Sequence, residues 1–140
     1  MNSAESVVNL VTEQIDILNE QPLDDFSGDT LSRVGVRLAA YKAGLGRHST
    51  IAKKATWVAE KELKMAKARA YQELRAEGQG DGAARELKNL RIEKEYDVYI
   101  EAQELEDKIT SLSYNVHDLI DSIKSRVINQ QMEMRESNVH

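Results

Sequence analysis

Apolar residues recur in steps of three and four along two long stretches of this sequence, and the single proline, Pro22, precedes both of them. The first stretch begins at Leu31 and continues to Leu74, and the second runs from Leu87 to Val127. This spacing is typical of amphipathic helices. Between the stretches lie three glycines, at positions 78, 80 and 82, which permit the positive φ angles of a tight chain reversal. The pattern therefore predicts two long helices that fold back on each other.

The expected fold is all-α: a short N-terminal helix followed by a long antiparallel helical hairpin. Residues 1–28 form a short acidic helix and a turn, and residues 29–77 form a long basic helix that Asp29 or Thr30 caps. The glycine turn occupies residues 78–82, with Asp81 as the cap of the next helix. Residues 83–140 form one long C-terminal helix, whose apolar positions include Leu87, Leu90 and Val98.

Two glycines inside the basic helix leave its continuity open. Gly44 and Gly46 each cost about 1 kcal/mol relative to alanine in a helix interior. One interpretation is a break at 44–46, which divides the helix into helices of about 14 and 30 residues. The alternatives are a kink or a close backbone approach by a neighbouring subunit.

Charge is strongly segregated along the chain, although the net charge is only −5. Residues 1–30 contain seven acidic side chains and no Lys or Arg, residues 31–75 contain eleven basic and three acidic ones, and residues 76–140 contain eight basic and fourteen acidic ones. Because charge acts over a screening length of about 8–10 Å, the basic middle third has its own binding preferences. An anionic partner is expected there.

Several functional classes are not expected. Absence of cysteine excludes a disulfide scaffold, a thiolate metal site and a cysteine nucleophile. No apolar stretch approaches 18 residues and no signal peptide is recognisable, so a soluble protein of the cytoplasm is expected. The three histidines lack metal-ligand spacing, no phosphate-binding loop occurs, and the carboxylates of Glu93, Asp97, Glu101 and Glu104 are better explained as a solvated face. We therefore expect no enzyme and no cofactor or metal.

The basic helix carries the most informative pattern. Lys42, Lys53 and Lys64 recur every eleven residues and drift by only about 20° per step around a helix. Trp57, Lys67 and Tyr71 lie within about 40° of Lys53. Cations suit phosphates, and aromatic rings suit unpaired bases, which stack without regard to sequence. The alternative is that the lysines form salt bridges with the acidic third helix and that Trp57 and Tyr71 pack in an interface.

Several local strings resemble those of the UvsY recombination mediators of tailed phages. Arg47-His48-Ser49-Thr50-Ile51 resembles that family's basic-His-Ser-Ser-Ile segment, and Lys67-Ala68-Arg69 with Tyr71 resembles its Lys-Ala-Arg motif followed by tyrosine. Gly80-Asp81-Gly82 resembles its Gly-Asp-Gly turn, and Ile123-Lys124-Ser125-Arg126 resembles its Ile-Lys-Ser-Arg, with Met134-Arg135 beyond. The strings share their order over roughly residues 30–135. The acidic N-terminal helix, the shifted glycine turn and the acidic overall charge depart from the family.

The resemblance implies a small, phage-encoded helical protein of the host cytoplasm that assembles into a homo-oligomeric ring and binds single-stranded DNA. Such mediators weaken the complex of the phage single-strand-binding protein with DNA and help to load a recombinase of the UvsX/RecA type. By position, Lys67 and Arg69 are the first DNA-contact candidates, followed by Lys53, Arg47 and His48. The stripe adds Lys64, Tyr71 and Trp57. The resemblance assigns oligomerisation to about residues 119–134, with the candidates Leu119, Ile120, Ile123, Val127 and Ile128.

Two rival functions remain open at this point. Apolar residues such as Val58, Tyr96 and Ile128 would stay partly exposed on a monomeric hairpin, so self-association is expected from the residues alone. A helical-hairpin adaptor would instead use its basic face to dock an acidic protein without contacting DNA. A DNA-mimicking inhibitor would need a contiguous acidic face, which the basic middle third disfavours.

Overall fold

A computed structural model describes residues 3–20, 22 and 26–139. These residues form four helices: α1 (Ser3–Asn19), α2 (Gly28–Ala76), α3 (Asp81–Arg91) and α4 (Glu93–Val139). No strand occurs in the described ranges, which confirms the all-α class. Part of the predicted turn after α1, at Gln21 and residues 23–25, lies outside the described residues. The chain divides into a terminal unit (Met1–Ser49 and Lys108–His140) and a central unit (Thr50–Asp107).

The terminal unit has a core built on seven-residue spacing. α1 buries Ala4, Val11 and Leu18, α2 buries Leu31, Leu38 and Leu45, and α4 buries Ile109, Val116 and Ile123. A seven-residue repeat keeps one helix side facing the same neighbour over many turns. Removal of these apolar side chains from water supplies the main stabilisation of the unit.

In the terminal unit, residues late in α4 contact residues at or just before the start of α2, and earlier residues of α4 contact later residues of α2. The Gln130 Nε2 donates to the Phe26 carbonyl at 3.4 Å, and the Lys42 Nζ lies 2.7 Å from the His117 Nδ1. Between them, a Cβ built on Gly35 would lie 3.6 Å from the Ile123 Cγ2. The two segments therefore pack antiparallel within this unit.

α2 begins with a side-chain cap that differs from the predicted one. The Thr30 backbone N–H donates to the Ser27 Oγ at 3.2 Å, and the Leu31 N–H donates to the Ser27 carbonyl at 2.9 Å. Ser27 thus satisfies donors of the first turn that have no partner inside the helix. The cap is Ser27, instead of Asp29 or Thr30.

α2 continues without interruption through Gly44 and Gly46. Leu45, between the two glycines, is fully buried in the terminal unit and holds this turn in place. A Cβ built on either glycine would meet nothing within 4 Å, so no close approach within the chain explains them. The alternative of a break at 44–46 is therefore wrong, and the alternative of a close approach by a neighbouring subunit stays a prediction.

α2 ends in a Schellman motif in the central unit. The Gln79 N–H donates to the Leu74 carbonyl and the Gly78 N–H donates to the Arg75 carbonyl, each at 3.1 Å. Gly78 has a φ of 93°, the left-handed conformation that this motif requires. The N-cap of α3 is Gly80, and Asp81, the predicted cap, is the first residue of the helix instead.

The single C-terminal helix predicted over 83–140 is wrong, because Ile92 separates α3 from α4. Ile92 has φ −110° and ψ 13°, and its side chain is buried with Leu63, Ala66 and Ala70 while Tyr99 packs against them. Leu87, Leu90 and Val98, predicted as inward positions, are exposed, whereas Ala84 of α3 and Ile92 are buried.

Candidate nucleic-acid interface

The buried side of α2 in the central unit decides which of its residues face solvent. Small and apolar side chains form that buried side: Ala52, Ala59, Leu63, Ala66, Ala70 and Leu74. On a helix with 100° per residue, the opposite side is centred near Lys61. Any ligand that binds the free side of this helix segment meets the residues around that position.

Trp57 is the most unusual residue on the free side. Its side chain is 61% exposed, although tryptophan is the largest apolar side chain and is usually well covered. The Lys61 Nζ lies 5.5 Å from the centroid of the Trp57 ring, within the range of a cation–π interaction. The indole is thus held by its neighbour one turn later but keeps much of its surface accessible.

Four exposed lysines surround this indole. We use the name Trp57 face for Trp57 together with Lys53, Lys54, Lys61 and Lys64. The five positions cover about 100° of the helix circumference and about 16 Å of its length. The face is therefore a continuous cationic strip with one aromatic ring at its middle.

Few of these cations are neutralised by acidic neighbours. The Lys64 Nζ pairs with the Glu60 Oε1 at 3.4 Å, one helical turn earlier, and both side chains are well exposed. Such an exposed pair is worth about 0–1 kcal/mol and is readily exchanged for another anion. Across the described ranges, no ion pair joins Lys53, Lys54 or Lys67 to a carboxylate of α4. The predicted alternative, a basic helix held to the acidic helix by salt bridges, has no support here.

The structure does not bring Lys67 and Arg69 together. Lys67 is half-buried at the edge of the Trp57 face, whereas Arg69 is exposed about 200° around the helix. Arg69 borders a polar hollow of about 200 Å³ that is also lined by Glu73, Arg91 and Glu95. One strand cannot contact both side chains along a single side of α2.

Tyr71 is engaged at the chain reversal of the central unit. Its hydroxyl donates a short hydrogen bond to the Asp81 Oδ1. This bond raises the pKa of Tyr71 and lowers the pKa of Asp81, since it favours the neutral phenol and the ionised carboxylate. Tyr71 therefore ties α2 to α3, and its hydroxyl is already used.

A second polar link joins the C-terminal end of α2 and the residue after it to α3. Arg91 donates from Nη1 and Nη2 to the two carboxylate oxygens of Glu77, at 3.0 and 2.7 Å, and lies 3.7 Å from Glu73. The paired hydrogen bonds lower the pKa of Glu77 and raise that of Arg91. This link holds Arg91 beside the Ile92 break and occupies its guanidinium.

Arg47 and His48 belong to the terminal unit, where Arg47 is exposed and His48 is half-buried. A polar cluster of that unit involves Lys42, which is the first lysine of the eleven-residue repeat. Lys42 lies beside the Nδ1 of His117, whose Nε2 is 3.3 Å from the Asp121 Oδ2. Lys42 is therefore committed to a side-chain contact inside its unit.

Lys54 and Lys61 are members of the Trp57 face that the sequence argument did not select. The prediction followed the eleven-residue lysine repeat, which includes Lys53 and Lys64 of this face but neither Lys54 nor Lys61. A signal was present, because Lys54 precedes Trp57 by three residues and Lys61 follows it by four. Residues at these spacings are neighbours on a helix surface.

The candidate oligomerisation residues differ in exposure. Ile120 and Ile123 are buried in the core of their own chain, and Leu119 and Val127 are half-buried. Ile128 is 54% exposed. Of the five, Ile128 presents the most surface to a partner, whereas Ile120 and Ile123 contribute mainly to the core of the terminal unit.

No protein-family model matches this chain, and neither do the curated proteins or solved structures with which it was compared. None of the helices in the described ranges combines the length and apolarity needed to span a membrane. Within the same ranges, no group of three or more His, Asp or Glu side chains is placed to hold a metal ion.

Proposed function

We propose that this protein is a recombination mediator that binds single-stranded DNA through the Trp57 face. Acting as a homo-oligomer, it weakens complexes of a single-strand-binding protein with DNA and promotes loading of a phage recombinase of the UvsX/RecA type. The observation that carries the DNA-binding part is an exposed tryptophan flanked by exposed lysines on one side of α2. The mediator part is supported by the resemblance to the UvsY family described above.

The chemistry of the face suits an unpaired strand better than a duplex. Lysines attract the phosphate backbone in a sequence-independent way, and each phosphate contact releases a counterion. An unpaired base stacks on an exposed indole, whereas the bases of a duplex already stack on each other. A preference for single strands with little sequence preference therefore follows.

Repetition of the face in an oligomer supplies the affinity that one copy lacks. With at most four lysine contacts, a single protomer binds weakly at physiological salt. In a ring assembled from an antiparallel helical hairpin, later contacts become intramolecular and their effective concentration is high. A strand held along several copies is released from single-strand-binding protein and presented to the recombinase.

The DNA-binding part is tested by anisotropy titration of a labelled oligothymidylate at salt concentrations from about 50 to 300 mM. Because each contact with a single strand contributes about −0.7 to the logarithmic salt slope, four lysines give about −3 per protomer. Replacing Lys54 and Lys61 by alanine should reduce the slope by about 1.4. The matched control replaces Lys88 and Lys94, which lie on α3 and α4, and should leave affinity and slope unchanged.

The mediator part needs a separate measurement. Adding the protein should shorten the lag of recombinase filament assembly on DNA that is covered by single-strand-binding protein. The Lys54/Lys61 double variant should lose this effect together with DNA binding. If DNA binding is lost and the lag still shortens, the mediator activity does not depend on the Trp57 face.

The alternative function, a helical-hairpin adaptor that docks an acidic protein, rests on the same cationic strip. The two functions differ at Trp57, because carboxylates do not stack on an indole. Trp57→Ala should weaken DNA binding by about 1–3 kcal/mol, the usual contribution of one stacked base. An acidic protein partner that is bound equally well by wild type and Trp57→Ala, with no binding to oligothymidylate, would favour the adaptor.

A further inference from the structure

The terminal unit contains an open apolar groove that its own chain leaves uncovered. α2 contributes Gly35, Val36 and Ala39, and α4 contributes Lys124, Val127 and Ile128, around a volume of about 460 Å³. On its rim, Val36 is 72% exposed and Ile128 is 54% exposed. Exposed apolar surface of this kind marks a contact site for another macromolecule.

A second apolar surface of the same unit is also without a partner. Leu10 and Ile17 of α1 are 46% and 50% exposed, although α1 buries Val11 and Leu18. Each exposed residue immediately precedes a buried one, so the exposed pair lies about 100° around α1 from the buried side. Leu10 and Ile17 are seven residues apart and therefore form a short apolar strip about 10 Å long.

The charges of the two surfaces are complementary. The lining of the groove includes one charged residue, Lys124. α1 carries acidic residues and no Lys or Arg, and Glu13 is exposed between Leu10 and Ile17 along the helix axis, about 40–60° around α1 from them. An apolar strip with a carboxylate beside it fits an apolar groove whose lining includes an ammonium group.

We infer that α1 of one copy docks into the groove between α2 and α4 of a second copy, with Glu13 facing the partner's Lys124. The chain's own α1 leaves both surfaces exposed, so it does not fill the groove. Pairing of two grooves would offer Lys124 no carboxylate from the facing lining, because Lys124 is the one charged residue in that lining. A contact between two different surfaces supplies the carboxylate of Glu13.

Such a contact repeats from copy to copy. Every protomer presents one strip and one groove, so successive copies add head to tail and form a closed ring or a filament. This inference rests on the self-association within the proposed function and does not depend on DNA binding. It assigns the contact to α1 and the groove, whereas the predicted segment at residues 119–134 supplies only one wall.

A charge-reversal experiment tests this pairing by sedimentation velocity of the full chain without DNA. Lys124→Glu alone places two carboxylates together, and Glu13→Lys alone places two ammonium groups together. Each single variant should associate at least about tenfold more weakly than wild type, a change of about 1.4 kcal/mol. Both side chains are exposed, and circular dichroism should show unchanged helix content.

Mixing the two variants is the decisive step. In an equimolar mixture, the two variants can alternate along the assembly. The Glu13 of the Lys124→Glu variant then meets the unchanged Lys124 of the Glu13→Lys variant. At the next interface, an ammonium group at position 13 meets a carboxylate at position 124, so assembly should return. Assembly should also return in the chain that carries both changes. Ile17→Ser should weaken assembly, and the matched control Ile51→Ser, at an exposed position of the central unit, should not.

The outcomes separate this interface from the proposed function. A monomeric wild type, single variants that assemble normally, or a mixture that fails to recover would each overturn the docking of α1. DNA binding is measured separately with the Lys54/Lys61 variant. Loss or retention of DNA binding in that variant tests the proposed function without reference to the α1 contact.

Discussion

Replacing Gly44 and Gly46 by alanine should stabilise the protein, because both glycines lie inside the continuous helix α2. Glycine in a helix interior costs about 0.8–1.0 kcal/mol relative to alanine, and a Cβ added at either position meets nothing within 4 Å. No steric loss offsets the gain, so the double variant should gain about 1.6–2 kcal/mol. For a chain of this length, that corresponds to a rise in Tm of roughly 4–8 °C.

The assay is thermal and urea unfolding followed by circular dichroism at 222 nm. The matched control is Gly78→Ala, because Gly78 holds a φ of 93° in the turn after α2. There the added Cβ is strained whatever the space around it, so a loss of about 1 kcal/mol is expected. A double variant that is unchanged or less stable would refute the reasoning and favour either a break in α2 at these residues or a close approach by a neighbouring subunit.

Three further predictions concern the core, the chain reversal and the DNA contacts. Leu45→Ala should lower the free energy of unfolding by about 2–5 kcal/mol in urea titrations, because its side chain is fully buried in the terminal unit; a loss below about 1 kcal/mol would contradict that burial. The Arg91 hydrogen bonds lower the pKa of Glu77, so their stabilisation is present above the ordinary glutamate value of about 4.5 and is lost as the pH falls through the lowered pKa; the free energy of unfolding in urea should differ less between pH 6 and pH 3 for Arg91→Ala than for wild type, and equal differences would refute the link. Lys67→Ala with Arg69→Ala should weaken oligothymidylate binding less than the Lys54/Lys61 variant does, because the two side chains lie on different sides of α2; a larger loss would reassign the site.

The helical architecture could be predicted from the sequence because the patterns that indicate helices are local. Steps of three and four between apolar residues predicted long helices, and the all-α class is confirmed by the structure. Gly78 marked the end of α2 because no other residue type adopts its backbone conformation so readily. Local patterns of this kind need no knowledge of the tertiary contacts.

The interruption at Ile92 could not be predicted from the sequence in the same way. Neither glycine nor proline lies beside it, and the Leu87 and Leu90 pattern predicts an unbroken helix. The break coincides with a tertiary contact, because Ile92 is buried with Leu63, Ala66 and Ala70 of α2. A contact between residues so far apart in the chain is not visible in a local sequence pattern.

The candidate site could be predicted only in part from the sequence. The sequence identified Trp57 and two of the four surrounding lysines, but the eleven-residue repeat passed over Lys54 and Lys61. The structure corrects this because the buried alanines fix the orientation of α2 in the central unit. Once the buried side is known, the free side and its cations follow from helix geometry.

The central claim, that an unpaired strand binds the Trp57 face, is tested most directly by the fluorescence of Trp57 itself. The chain contains one tryptophan, so its intrinsic emission reports on this position alone. Titration with oligothymidylate at low salt should quench the emission through base stacking, and the quenching should weaken as salt rises and be much smaller with duplex DNA. Emission that stays unchanged at low salt, or that responds equally to duplex DNA, would contradict the claim.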